Sequence, residues 1–179
     1  MRALTVTGDK AAYVINDGDI PCTPEVERTY SFLWNFCADV ADSTIPEYCQ
    51  KHAPAAAYQY FHRDSDGYDE CNAIGHYDPA RDDTYYRLLD DRDPSKGVSM
   101  TYLYGDRCPS GSLRTTTIDV QCANVKYSVE SALEPNSCEY HVVMKSMYGC
   151  PQVLYIYIPL YTYLSNTFVF LTRIYRNAL

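Results

Sequence analysis

An all-β domain with antiparallel pairing is the fold class this chain predicts, and three observations carry the prediction. Period-two runs recur along it, alternating aromatic or branched side chains with polar ones. There are 19 tyrosines against 8 glycines, a composition that favours strands over helices. Turn residues fall between the runs, and three strands within about fifty residues near the carboxyl end pair most simply as an antiparallel sheet. At 179 residues the chain is long enough to bury a core as one domain.

Taken in order, Ala11–Ile15 reads as a short edge strand closed by the turn residues Asn16, Asp17 and Gly18. Glu27–Cys37 alternates: Tyr30, Phe32, Trp34 and Phe36 face one way, and Ser31, Leu33, Asn35 and Cys37 the other. The aromatic stripe reads as core. Ala41–Pro54 is a loop with at most a helical turn. Ala55–His62 and Cys71–Gly75 flank Asp64-Ser65-Asp66-Gly67, and Asp-Gly between apolar runs marks a hairpin. The alternate aspartates resemble the start of a calcium loop, but the next acidic ligand and the distal glutamate are missing. Asp78–Lys96, dense in both charge signs, is a solvated loop in which Thr84–Leu89 forms a helical turn or a short strand.

The clearest strands follow. Val98, Met100, Tyr102 and Tyr104 alternate with Ser99, Thr101 and Leu103, and Gly105-Asp106 then supplies turn chemistry. Thr116, Ile118, Val120 and Cys122 share a face of a second run, and Glu139–Met147 is a third. The final stretch, Val153–Leu171, is 19 residues without a charge, followed by Arg173 and Arg176. That length approaches the ~20 residues of a membrane span, and a strand pair is the rival reading. The expected divisions are therefore an N-terminal segment or edge strand over 1–21, a β domain over 22–151 and an apolar tail over 152–179, with 153–171 its candidate single-pass anchor.

A net charge of −8 excludes broad contact with nucleic acid, which needs a basic surface. The 8 cysteines suggest four disulfides and an oxidising, secretory-pathway compartment. Met1–Asp19 has no basic stretch and apolar core of a signal peptide, and the cysteines are the stronger guide to compartment. Neither C-x-x-C nor H-x-x-x-H occurs, so no metal is expected. His52, His62, His76 and His141 lack a local nucleophile motif, and no enzyme activity or cofactor is expected.

Six motifs stand in order: Tyr30-Ser31-Phe32 with Cys37; Ile74-Gly75; Gly97 to Cys108, spanning Met100, Tyr102, Gly105 and Asp106; Arg114 to Cys122; Glu134 to Tyr140; and Gly149-Cys150-Pro151. Together they resemble the mannose 6-phosphate receptor homology (MRH) domain, the lectin module of the mannose 6-phosphate receptors, the glucosidase II beta subunit and related trafficking receptors. The resemblance covers about Cys22 to Pro151. It implies a flattened β-barrel of two crossed antiparallel sheets and four disulfides: Cys108–Cys138, Cys122–Cys150, Cys22–Cys37 and Cys49–Cys71.

It also implies a sugar site. The family's glutamine, arginine, glutamate and tyrosine correspond to Gln59, Arg114, Glu134 and Tyr140, with Gln50 as the other candidate glutamine. These residue types suit a hexose, whose hydroxyls both donate and accept: a carboxylate accepts, a guanidinium donates, and an amide and a phenol complete the network. Arg107 is the candidate phosphate contact. The expected ligand is mannose on N-glycans, in the lumen of the endoplasmic reticulum, Golgi or endosome. The alternative is a trafficking receptor that keeps the domain as a protein-interaction scaffold.

Overall fold

The computed structural model describes residues 2–7, 12–16, 30–63, 65–80, 86–156 and 172–176. Four strands, β1 (Tyr13–Asn16), β2 (Ser31–Trp34), β3 (Ala57–Arg63) and β4 (Tyr68–Gly75), form one antiparallel sheet in sequence order. A second sheet contains β5 (Tyr86–Leu88), β6 (Gly97–Tyr102), β7 (Thr115–Cys122), β8 (Ser128–Asn136) and β9 (Glu139–Ser146), in the order β5-β6-β7-β9-β8. β10 (Gln152–Ile156) and β11 (Thr172–Arg176) pair as an antiparallel ribbon. Most of the candidate membrane segment, 157–171, lies outside the described residues. Among the described residues no helix is long and apolar enough to cross a membrane.

Alternation builds the core between the two sheets. Phe32, Trp34, Ala57 and Ile74 meet Met100, Tyr102, Ile118, Val120, Tyr140, Val142 and Met144, all at most 2 % exposed. The opposite face of the first sheet is buried as well, because residues 36–56 fold back over it. Leu33, Tyr58 and Ala73 there pack with Val40, Ile45 and Ala55, and Cys49–Cys71 staples the segment down. Asn35, also on that face, is buried because its amide group serves the main chain: its Oδ1 accepts from Val6 N at 2.9 Å and its Nδ2 donates to Val6 O at 3.1 Å. That pair holds residues 2–7 to the domain, and Leu4 and Tyr13 join the same core.

Three features depart from the sequence expectations. β7 and β9 are parallel, so the second sheet is mixed: the chain runs from β7 out to the edge as β8 and returns by hairpin between them. β8 itself was not anticipated. It is a bulged edge strand with Pro135 near its end and several exposed positions, so it lacks the alternation that marks a half-buried strand. Tyr104 leaves the pattern of β6, at φ 62° and 50 % exposed.

The sheets are tied at one corner. His76 bridges to Leu103, and Thr116 Oγ1 donates to Ile74 O at 2.9 Å in the core. Along the other edge β1 packs near β8, where the Tyr13 and Tyr127 rings meet edge to face at 5.1 Å.

Candidate carbohydrate-binding site

The parallel pairing of β7 with β9 brings the site together. Thr115 pairs with Glu139 and Thr116 with Tyr140, so both strands start at the same end of the sheet. β8 runs antiparallel to β9 and finishes there with Glu134. Arg114, just before β7, Tyr140 and Glu134 therefore meet at one end. Gln59 comes from the other sheet. It pairs with Phe32 on β2 and Asn72 on β4, and the Phe32 ring lies 6.0 Å from that of Tyr140.

A continuous chain of hydrogen bonds links the four side chains. Arg114 Nη1 donates to the Tyr140 hydroxyl, which donates to Gln59 Oε1 at 3.0 Å. Gln59 Nε2 donates to Glu134 Oε2 at 3.3 Å, and Glu134 Oε1 accepts from Cys138 N at 2.6 Å. Tyr140 is 2 % exposed, Gln59 3 % and Arg114 8 %, whereas Glu134 is exposed, so its carboxylate stands at the rim. Burial pushes the Tyr140 phenol well above its ordinary range; Glu134 reinforces the shift and Arg114 opposes it. The phenol keeps its proton, which it needs to donate to Gln59. Arg114 Nε is buried without a hydrogen-bond partner, an unspent donor of the kind that a ligand hydroxyl satisfies. Gln50 stands apart, exposed, with Nε2 3.4 Å from Asp42 O.

Close packing fixes Arg114. Gly105 N donates to Arg114 O, and Arg114 N to Asp106 O, both at 3.0 Å. A Cβ at Gly105 would lie 2.6 Å from Ala73 O and 2.9 Å from Arg114 Cβ, so only glycine fits. The sequence marked Asp106 as turn chemistry, but it does more. Its carboxylate accepts from Ala73 N at 2.7 Å and pairs with His52 Nδ1 at 2.9 Å, joining the Arg114 loop to the first sheet. A lone aspartate in a Gly-Asp pair gives no hint of a distant partner, and only its place in the Gly97-to-Cys108 motif marked it.

Disulfides Cys108–Cys138 and Cys122–Cys150 brace the two ends of this region, and with Cys49–Cys71 they are three of the four pairs expected, the fourth being Cys22–Cys37. Cys22 lies outside the described residues. Cys37 Sγ lies 3.0 Å from the Tyr86 hydroxyl. Arg107 is exposed, and its Nη1 donates to Gly111 O at 2.9 Å within its own loop. Asp66 is held by Arg63 through bonds of 2.7 and 2.6 Å as part of the hairpin turn, whereas Asp64 is outside the described residues. Among the described residues no three His, Cys, Asp or Glu side chains gather as a metal site. The histidines are bonded to acceptors: His52 to Asp106, His62 to Asp69, His141 to Asp119 and His76 to Pro54 O.

The family described as glucosidase II beta subunit-like protein matches residues 63–165, more than half of the chain. The chain belongs to the glucosidase II beta subunit-like family. The matched span of this family member includes Arg114, Glu134 and Tyr140, and Gln59 lies just ahead of it. No curated protein sequence matches the chain. Among solved structures, this glucosidase II beta-like chain is similar to the MRH domain of glucosidase II beta bound to mannose, at 18 % identity and TM-score 0.42, covering 84 % of this chain and 99 % of that one. It is also similar to the MRH domain of Yos9 complexed with α3,α6-Man5, at 16 % identity and TM-score 0.42, covering 66 % and 69 %. A third is chicken IGF2R domain 11, at 16 % identity and TM-score 0.47, covering 79 % and 78 %.

Proposed function

We propose that this domain is a lumenal, non-catalytic lectin that recognises terminal mannose on N-glycans, in glycoprotein quality control or sorting. The observation that supports it is the convergence of Gln59, Arg114, Glu134 and Tyr140 from two sheets into one hydrogen-bonded cluster. Each has a defined part. The Glu134 carboxylate at the rim accepts from two neighbouring sugar hydroxyls, and Arg114 Nε donates to a third oxygen. The Gln59 amide and Tyr140 hydroxyl hold both groups in register. Such a site selects an axial 2-hydroxyl because a sugar that misplaces it leaves buried polar groups unpaired. No proton needs to move and no bond breaks.

Plain mannose is preferred over mannose 6-phosphate. The Arg107 guanidinium is engaged with Gly111 O, and the chain carries a net −8, which offers a phosphate little attraction. Mannose is also the sugar in the glucosidase II beta structure. A glycan array carrying high-mannose, phosphorylated and complex glycans tests the reading, alongside a mannose column with Arg114→Ala and Glu134→Gln. Retention of the wild type and loss of it in both folded variants is expected. A folded, disulfide-intact protein without mannose signal would overturn the lectin and leave the domain as an interaction scaffold.

A further inference from the structure

The segment that covers the back of the first sheet reaches the candidate site through one side chain. Cys49 in that segment is bonded to Cys71 on β4. His52 lies three residues past Cys49, and its main-chain N donates to Cys49 O at 3.1 Å; Ala73 lies two residues past Cys71. The bridge therefore brings an imidazole and a main-chain N–H to one place. Both meet a single oxygen, Asp106 Oδ2: His52 Nδ1 at 2.9 Å and Ala73 N at 2.7 Å. A carboxylate oxygen only accepts, so Nδ1 carries the proton. Asp106 N in turn donates to Ala73 O at 2.7 Å.

Asp106 places Arg114. Arg114 N donates to Asp106 O and Gly105 N to Arg114 O, Arg107 bridges to Leu113, and Cys108 N donates to Ser112 O at 2.8 Å. Residues 105–114 are thus a narrow hairpin with Arg114 at its base, bonded to Gly105 and Asp106. Fastening Asp106 to β4 ties Arg114 to the sheet that supplies Gln59. His52 Nε2, meanwhile, is buried without a hydrogen-bond partner. An apolar ring of similar volume would avoid that loss, so what the histidine contributes is the Nδ1 donor. We propose, on the lectin reading above, that His52 is a positioning residue for mannose: it acts through Asp106 to hold Arg114 in register with Gln59, rather than by touching the sugar.

Three variants of the full chain separate the donor from the volume. His52→Asn puts an amide Nδ2–H where the imidazole has Nδ1–H but is smaller. His52→Phe keeps a ring without a donor, and His52→Ala has neither. In mannose titrations of folded, disulfide-intact protein, His52→Asn stays within about twofold of wild type, while His52→Phe and His52→Ala each bind about tenfold more weakly. The NMR signal of Arg114 Nε–H, read without sugar, shifts in His52→Phe and His52→Ala and keeps its place in His52→Asn. Equal affinity in all four proteins overturns the proposal. So does a loss in His52→Asn and His52→Ala but not in His52→Phe, which would assign the side chain to packing. A wild type that binds no mannose sinks the lectin reading instead; the Arg114 signal still tests the positioning, and no shift in the two donorless variants overturns it.

Discussion

Tyr140→Phe removes one oxygen from the centre of the candidate site and leaves the ring where it is. The hydroxyl accepts from Arg114 and donates to Gln59 Oε1 at 3.0 Å, in a residue 2 % exposed. The ring remains against Phe32, so no cavity opens. The loss is therefore that of two buried partners stranded without water, about 2 to 3 kcal/mol of stability. Denaturant unfolding measures it as a lower midpoint at unchanged slope. Because the same oxygen orients both Gln59 and Arg114, mannose affinity falls as well, by about 10- to 100-fold in calorimetric titration. A variant within about 0.5 kcal/mol of wild type with unchanged mannose affinity would show that this hydroxyl is not the hub of the network.

Three further outcomes are expected. Burial pushes the Tyr13 and Tyr58 phenols up to about 12, and those of Tyr102 and Tyr140 are raised too. Since unfolded tyrosine titrates near ~10, the folded state holds these protons more tightly: stability is full below ~10 and declines as pH rises toward ~12. Denaturant midpoints across that range should fall as the phenolate absorbance appears, and a flat profile would count against the burial. Replacing Cys108 and Cys138 with serine opens a bridge of sequence separation 30. It should cost about 3 to 4 kcal/mol and weaken mannose binding by freeing the loop ahead of Arg114, as unfolding and titration would record. Gly105→Ala forces a Cβ to 2.6 Å from Ala73 O. A loss of about 1 to 3 kcal/mol is expected, with mannose binding reduced; an alanine variant of full stability and affinity would refute the tight packing.

Much of the fold was legible in local pattern. The β6, β7 and β9 runs, the β3–β4 hairpin and the edge strand β1 all alternate or carry turn residues, signals that survive without tertiary context. β8 was not legible, because an edge strand with Pro135 and exposed positions on both faces has no period to read. Nor was the burial of Leu33 and Asn35, which depends on a loop covering the back of the first sheet.

The sequence by itself determined the all-β class, and the family that its motifs resemble implied the residue types of the candidate site and the three observed cysteine pairs. Tertiary structure alone decided which side chains meet. Gln59 rather than Gln50 reaches Glu134 and Tyr140, since β3 faces the second sheet and Gln50 lies in the covering segment. Arg114, Glu134 and Tyr140 share one end because β7 and β9 run parallel, and the order in which strands pair is a long-range choice that no local pattern records. Asp106 became the link between the halves for the same reason: its partners Ala73 and His52 are brought to it by folding, not by adjacency in the chain.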